Sequence, residues 1–250
     1  MEGVIRWIVL CFMMLSGVAT TANADDRRVI VAAGRIPYVF APDLPGPYNQ
    51  IFDLMAKDVP LPISLEYFPI IQAMRQLAFD RYDCFAMGLK YSPNWSRIGL
   101  NQDDFTFIGP IALLKINVYV RPGEAVPSLE QLKDAPIAVG GGIINLQDSF
   151  DHNWEPTNLL AKASYVEALE ALAAGEVDAV LSYDADIAAL GHEHPLADKF
   201  VDSGLSVAEL EDGIICKSNR KLLPVIGGLQ AGLDRITENG MLERLLSGEN

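Results

Sequence analysis

Short apolar segments alternate along this chain with segments in which apolar residues recur at helical spacing. In the first third, each such segment predicts one element. Strands are predicted at residues 29–33, 63–68 and 84–87, and helices at residues 49–58 and around residues 71–78. Strands and helices that alternate in this way are typical of layered α/β proteins.

The alternation resumes after residues 90–110, an interval without clear periodicity for which irregular structure is predicted. Further strands are predicted at residues 117–121, 137–139, 177–181 and 213–217. Further helices are predicted at residues 127–132, 166–173, 185–190 and 222–236. Ser128 is the predicted N-cap of the first of these helices, because its hydroxyl can accept from the first backbone amides.

The start of the chain has the three-part layout of a cleavable export signal. Glu2 and Arg6 form a short polar start, residues 7–15 are apolar and uncharged, and small residues at 22–24 precede Asp25. The apolar run is too short to span a bilayer. We therefore predict a signal peptide over residues 1–24, export to the periplasm, and no stable membrane insertion after cleavage.

Charge and cysteine content narrow the function. The chain of 250 residues has a formal net charge of −14, which repels phosphate backbones and anionic lipid heads, so nucleic acid is not expected as a partner. Beyond the predicted signal only Cys84 and Cys216 remain, a pair that allows one disulfide without requiring it.

Metal and cofactor sites are not expected. His192 and His194 lie two residues apart with no third ligand in the sequence around them, which is typical of a solvated turn. The glycines at 140–142 lack the dinucleotide-binding pattern. Acidic residues outside any motif are interpreted as exposed charge: Asp103, Asp104, Glu209, Glu211 and Asp212.

Five motifs occur in a characteristic order along the chain. They lie at residues 73–88, 91–93, 128–133, 165–181 and 217–245. In this order and spacing they resemble the family 3 extracellular solute-binding proteins, the periplasmic receptors of polar amino acid uptake by ABC transporters. The resemblance implies a type II periplasmic-binding-protein clamshell, in which each lobe is a mostly parallel sheet flanked by helices. Residues 25–111 and 211–250 would form lobe one and residues 112–210 lobe two, joined by two crossing strands.

The first ligand contact that the resemblance implies is displaced. Amino-acid-binding members clamp the ligand carboxylate with an arginine three residues after a Thr or Ser. Counting from Ser92 places Trp95 at that position, with Arg97 two residues later. Two interpretations of Arg97 stay open, a ligand contact reached through a longer loop and a solvent-facing arginine.

The other implied contacts are replaced. The anion-binding turn of lobe two usually has Ser or Thr after its glycine, whereas here Gly142 is followed by Ile143 and Ile144. The acid that binds an α-amino group in the family falls on Tyr183, with Asp184 one residue later. The resemblance therefore implies a ligand other than an ordinary α-amino acid.

A more apolar and aromatic cleft is expected, and for each aromatic residue core packing is the alternative. Tyr38 and Phe40, which follow the first strand, are candidates for a stacking wall. The predicted ligand-binding residues are Tyr38, Phe40, Gly88, Ser92, Trp95, Arg97, Gly142, Ile143, Ile144, Tyr183 and Asp184. The resemblance also places the strands of Cys84 and Cys216 side by side, so a disulfide and two buried thiols both stay open.

The function expected from the resemblance is that of a monomeric solute-binding protein, without catalysis or cofactor, that delivers a small molecule to an ABC-type importer of the inner membrane. One alternative is a sensor input or an accessory protein of a periplasmic enzyme. An enzyme of the cyclohexadienyl dehydratase type ranks last, because no His or Glu falls on the aligned cleft positions. Asp184, Lys90 and Arg97 would be its first candidates for mutation.

Overall fold

The computed structural model describes residues 28–91, 94–140, 143, 149–151, 154–191 and 194–248. Its strands are β1 (Val29–Gly34), β2 (Ile63–Phe68), β3 (Cys84–Leu89), β4 (Phe105–Val120), β5 (Ile137–Val139), β6 (Leu159–Ala161), β7 (Ala179–Tyr183) and β8 (Val201–Lys217). Its helices are α1 (Pro47–Ala56), α2 (Ile70–Gln76), α3 (Asn94–Arg97), α4 (Leu129–Leu132), α5 (Tyr165–Ala173), α6 (Asp184–Leu190), α7 (Leu223–Glu238) and α8 (Met241–Ser247).

The eight strands of the described part belong to one sheet with the order β2-β1-β3-β8-β4-β7-β5-β6. At one end β1 pairs in parallel with β2 and β3, and at the other β5 pairs in parallel with β6 and β7. The antiparallel strands β4 and β8 lie between these ends and pair with each other from Phe105 opposite Lys217 to Val120 opposite Val201. With 16 and 17 residues they are long enough to belong to both ends.

The prediction of irregular structure up to residue 110 is wrong in part, because β4 begins at Phe105. Gly109 and Pro110 resemble a strand break in the sequence. In the structure they fall in a gap of the β4–β8 register between Ile108 and Ala112, where the missing N–H of proline breaks no ladder hydrogen bond. The strand predicted at residues 213–217 is likewise only the end of β8.

Separate hydrophobic cores fill the two ends of the sheet. One pair of clusters packs on β1–β3 and includes Met55 and Phe85, and another packs on β5–β7 and includes Ile137 and Leu169. We call β1–β3 with α1–α3, α7 and α8 the first half, and β5–β7 with α4–α6 the second half. The lobe boundaries expected from the sequence stay a prediction.

Side-chain caps and close packing fix the helices around the cleft. The Ser128 hydroxyl accepts from the Gln131 amide at 3.3 Å, which confirms the predicted N-cap of α4. Asn49 accepts from the Gly46 amide at 2.9 Å and so holds the start of α1. Helices α1 and α7 approach so closely that a Cβ on Gly232 would lie 2.4 Å from the Met55 carbonyl oxygen.

The predicted signal peptide lies outside the described residues. Among the helices of the described part, none has both the length and the apolar character needed to cross a bilayer.

Candidate functional site

A cavity of about 530 Å³ lies between the two halves, a volume typical of small-molecule sites. The first half contributes Ile36, Val39, Tyr48, Ile70, Met74, Phe85, Met87 and Trp95, the second half contributes Gly140, Ile143, Tyr165, Tyr183 and Asp186, and the crossing strands contribute Leu114, Asp212 and Ile215. Most of these side chains are apolar or aromatic. Residues far apart in the sequence therefore form one largely hydrophobic site.

Trp95, at the position where the resemblance expects an arginine, forms part of the apolar wall. The indole is 3% exposed and packs against the Phe105 ring with centroids 5.1 Å apart. Its Nε1 has no hydrogen-bond partner among the described residues, so a donor at the cavity wall is unused.

Met87 reaches the cavity through a local backbone distortion. The β3–β8 register shifts between Ala86 and Gly88, and Met87 has a φ of 71°, in the left-handed region that residues with a Cβ rarely adopt. A bulge of this kind changes the direction of a side chain, and strained backbone of this kind is concentrated at binding sites. Because Gly88 has no Cβ, the Ile215 side chain has room beside β3 to line the cavity.

Asp212 brings a carboxylate into this apolar surrounding. The residue is 1% exposed, and its Oδ1 accepts from the Ala112 amide at 2.8 Å. Its Oδ2 has no hydrogen-bond partner within the described part of the chain. Burial raises the pKa of Asp212 to about 7, against the lowering effect of the Tyr48 hydroxyl and the Ala112 amide.

Asp186 brings a second carboxylate to the cavity from the first turn of α6. It is 8% exposed, and burial raises its pKa to about 7, with the negative charges of Asp184 and Asp212 adding to the effect. Asp184, the acid predicted for the site, is not among the lining residues. Its Oδ1 instead accepts from the amides of Lys115 at 3.0 Å and Ala185 at 2.8 Å.

Two buried tyrosines lie beside these acids. Burial raises the pKa of Tyr48 well above its ordinary value, and the Asp212 charge adds to this effect. Burial raises the pKa of Tyr183 in the same way. Both hydroxyls therefore stay protonated and able to donate. The Tyr48 hydroxyl is close to Asp212 but has no hydrogen bond of good geometry to any described residue.

The basic residues of the lining already have acidic partners. Arg35 pairs with Asp43 at 2.5 Å, and Lys162 pairs with Glu176 at 3.3 Å. Both partners lie outside the lining and are more than half exposed. The buried acids consequently have no basic side chain of the described lining dedicated to them.

Of the residues predicted from the sequence, Trp95, Ile143 and Tyr183 meet in the cavity. Phe40 is 1% exposed and packs in the core of the first half against the rings of Phe52 and Tyr67, outside the cavity lining.

Tyr38 lines a smaller neighbouring cavity of about 310 Å³, where its ring meets the His194 ring edge-on at 5.8 Å. Arg97 is exposed on α3 and does not belong to the lining. Ser92, Gly142 and Ile144 lie outside the described residues. The ligand-binding roles of all these residues stay predictions.

The interpretation of Asp212 as exposed charge is wrong, because the residue is buried. The run of apolar residues that follows it directly, Gly213 to Cys216, could have indicated this, because an uninterrupted apolar run is typical of a strand that is buried on both faces. Asp186 has a similar signal, because Leu190 follows it at helical spacing and both are buried on α6. Tyr48 lies one residue before the predicted start of its helix.

A disulfide joins Cys84 and Cys216, which face each other across β3 and β8. Their neighbours Phe85 and Ile215 point to the opposite side of the sheet and line the cavity. The bond therefore links the two strands that carry this wall. Among the described residues, no cluster of three His, Cys, Asp or Glu side chains has the arrangement of a metal site.

Searches with protein-family models and against curated proteins find no match. Solved structures do match. A histidine kinase sensor domain with similarity to periplasmic binding proteins has a TM-score of 0.70 and 17% identity, over 89% of this chain and 95% of its own. The GluR0 ligand-binding core from Nostoc punctiforme, in complex with L-glutamate, has a TM-score of 0.69 and 18% identity, over 88% of this chain and 98% of its own.

A third structure with this fold is AbpA from Streptococcus pneumoniae, an amino acid ABC transporter substrate-binding protein bound to L-arginine. It has a TM-score of 0.67 and 14% identity, over 88% of this chain and 93% of its own. At these identities the likeness concerns the fold. The chain therefore has the two-lobe α/β fold of periplasmic binding proteins, and the fold expected from the sequence resemblance is confirmed.

Proposed function

We propose that this protein is a periplasmic solute-binding protein that captures a small molecule between its lobes and presents it to an ABC-type importer. The observation that carries the proposal is the cavity of about 530 Å³ to which both halves contribute walls. A ligand that contacts both walls stabilises the closed arrangement over the open one, which is how hinged binding proteins respond to their ligands.

The composition of the cavity argues against an ordinary α-amino acid as the ligand. Recognition of an α-carboxylate usually relies on a bidentate arginine or an equivalent array of donors. Trp95 occupies the position where the resemblance expects that arginine, and Arg35 is engaged by Asp43. We therefore infer a ligand whose body is apolar and which lacks a dominant carboxylate.

Export is supported by the disulfide as well as by the sequence of residues 1–24. Disulfides persist in oxidising compartments such as the periplasm and are rare in the cytosol. Cys84 and Cys216 form such a bond in the interior of the first half, where both residues are fully buried.

A sensor module is the second candidate function, favoured by the likeness in fold to a histidine kinase sensor domain. It predicts the same cavity and ligand but a different partner. Crosslinking in the periplasm distinguishes the two candidates, because a solute-binding protein is captured with importer subunits and a sensor module with a signalling protein. We propose binding without catalysis for both, so a bound ligand is recovered chemically unchanged, as mass spectrometry would show.

The function is tested by a thermal-shift screen of the purified protein after unfolding and refolding to remove carried-over ligand. The panel contains amino acids, dicarboxylates, aromatic acids, sugars and amines. A ligand present at a hundred times its dissociation constant stabilises by about 2.7 kcal/mol, which is a readily measured shift.

A blocking variant shows whether the shift comes from the cavity. Ala163 is an exposed residue of the lining, so we expect Ala163→Trp to fill the cavity and abolish the shift. The matched control Ala231→Trp places the same side chain on the exposed face of α7 and should retain the shift. Absence of any shift across the panel would contradict the proposed function.

A further inference from the structure

Three buried side-chain atoms without a hydrogen-bond partner among the described residues belong to the cavity lining, and two of them, on Tyr48 and Asp212, are close together. Asp212 Oδ2 and the Tyr48 hydroxyl are buried in the lining close to each other, and neither has a hydrogen bond of good geometry, to the other or to any further described residue. Buried polar groups in native proteins are nearly always paired, so atoms of this kind indicate a missing partner. The cavity is the open side from which that partner can come.

The part of the cavity around Asp212 and Tyr48 is negatively charged, and no cation of the described lining compensates that charge. Asp186 lies in the same lining and its ionisation is opposed by the Asp212 charge, which places the two carboxyls within electrostatic reach of each other. The cations of the described lining, Arg35 and Lys162, form ion pairs with acids outside it. Lys90, on the neighbouring segment, pairs with Glu211 at 2.5 Å.

We propose that the cavity selects an organic cation, a protonated amine on an apolar body, with Asp212 and Asp186 as acceptors for the ammonium group. This inference rests on the proposed function and adds the chemical class of the ligand. Asp212 Oδ2 accepts one N–H of the ammonium group, Asp186 accepts another, and the Tyr48 ring lies beside them.

The apolar walls of the cavity indicate what kind of molecule bears the cationic group. Ile70, Met74, Phe85 and Trp95 offer apolar surface that a bare metal ion cannot use, and the described residues hold no metal-ligand cluster. Aromatic faces of Tyr48 and other lining residues attract a cation and stack on an aromatic body. The volume of about 530 Å³ accommodates a whole small organic molecule.

The same geometry disfavours zwitterions and carboxylates. A carboxylate in this cavity would lie in the field of two buried acids without a dedicated cation from the described lining, and like charges at close range repel strongly where water is excluded. An amine without a carboxylate avoids this repulsion. The cavity therefore separates amines from the amino acids that have the same side chain.

Four probes with one phenyl ring and different head groups test the inference by calorimetry at pH 8. They are 2-phenylethylamine, the neutral 2-phenylethanol, 3-phenylpropionate and L-phenylalanine. We expect the amine to bind at least tenfold more tightly than each of the others. Tighter binding of 3-phenylpropionate or L-phenylalanine would overturn the inference.

Substitutions of Asp212 and Asp186 test whether these two acids cause the preference for the amine. Asp212→Asn and Asp186→Asn should each weaken binding of 2-phenylethylamine at least tenfold and leave 2-phenylethanol within twofold. The matched control Asp198→Asn removes the same charge from an exposed site paired with Lys199 and should change neither affinity. Unchanged amine affinity in both Asp212→Asn and Asp186→Asn would overturn the inference even if the amine binds.

A milder variant covers the case in which Asp212→Asn fails to fold. Tyr48→Phe removes only the hydroxyl, and we expect the amine still to bind more tightly than 2-phenylethanol, since the carboxyls remain. Loss of that preference would contradict the assignment of the carboxyls. Failure of the inference is distinct from failure of the proposed function. If a sugar or an acid binds and Ala163→Trp blocks its binding, only the inference is overturned. If none of the four probes and no compound of the wider panel binds, both are overturned.

Discussion

Asp212 accepts a hydrogen bond of 2.8 Å from the backbone amide of Ala112, its partner across β4 and β8. Ala112 is the first paired residue after the register gap that follows Ile108. One oxygen of the carboxylate thus completes the backbone hydrogen bonding of the crossing strands, and the other remains available to the cavity.

This double role predicts different results for two substitutions at the same position. Asp212→Ala removes the acceptor of the Ala112 amide, and a buried donor left unpaired costs about 1–3 kcal/mol. Asp212→Asn keeps an acceptor oxygen. We therefore expect the alanine variant to be less stable than the asparagine variant by about that amount in urea unfolding at pH 8. Equal stability of the two variants would contradict a structural role of this hydrogen bond.

The stability of the unliganded protein should fall as the pH rises from about 5 to about 8. Asp186 and Asp212 have a pKa of about 7 when folded and an ordinary value of 3.8, so between these values the folded state binds more protons. The stabilisation is complete below the ordinary pKa and is lost as the pH rises through 7, by up to about 1.4 kcal/mol per pH unit for each carboxyl.

The groups that face these carboxyls do not reverse the direction of this pH dependence. The pKa values of Tyr48 and Tyr183 are raised, and Asp184 carries a charge of the same sign as the carboxyls. Urea unfolding at several pH values measures the effect. The double variant Asp186→Asn with Asp212→Asn should have a flatter profile over this interval. A wild-type profile that rises from pH 5 to pH 8 would contradict the prediction.

The disulfide should contribute a large share of the stability. Cys84 and Cys216 are separated by 132 residues, and closing a loop of that length restricts the unfolded chain by about 4–5 kcal/mol in the chain-entropy description. We expect reduction, or the double variant Cys84→Ser with Cys216→Ser, to lower the free energy of unfolding by about 2–5 kcal/mol. Denaturant titration with and without a thiol reductant measures this, and the double serine variant should not respond to reductant.

Two glycines of α7 allow a matched test of the packing between α7 and α1. A Cβ at Gly232 would lie 2.4 Å from the Met55 carbonyl oxygen, whereas a Cβ at the exposed Gly227 meets nothing within 4 Å. Gly232→Ala should destabilise by about 1–3 kcal/mol through overpacking. Gly227→Ala should stabilise by up to about 1 kcal/mol, because alanine favours a helix. Thermal unfolding of both variants checks the contrast, and similar shifts in the two would contradict this packing.

A substitution of Arg97 distinguishes two hypotheses of ligand recognition. The sequence resemblance allows it to clamp a ligand carboxylate, whereas the structure places it outside the cavity lining. We expect Arg97→Ala to leave the affinity for 2-phenylethylamine within twofold in calorimetry. A ligand with a carboxylate that binds the wild type and loses its affinity in Arg97→Ala would instead support the clamp.

The local pattern of the sequence predicts most of the short elements, although β6 and α3 are not among those predicted. Buried strands such as β1 and β5 are uninterrupted apolar runs, and helices such as α5 have one apolar face, so each carries its own signal. The crossing strands were predicted only at one end each. Their middle parts mix buried and exposed positions and contain Gly109 and Pro110, and only pairing between β4 and β8 makes that stretch a strand.

Three residues of the apolar lining are among those predicted from the sequence, and the two buried acids are not. Trp95, Ile143 and Tyr183 follow from positions in motifs, and all line the cavity. Asp186 and Asp212 lie outside those motifs, and their burial depends on contacts between distant segments. Acidic residues are usually exposed, so composition alone favours the wrong interpretation of both.

The interruption in the pairing of β4 and β8 bears on how a ligand in the cavity would affect the two halves of the protein. The pairing of the strands that join the halves is interrupted between Ile108 and Ala112, and Asp212 pairs with Ala112 at the edge of that interruption. A molecule that binds this carboxylate, as we propose, would therefore contact the crossing strands directly, without side chains of either core in between. Under the proposed function, the contact with the ligand and the connection between the two halves would then coincide at one residue.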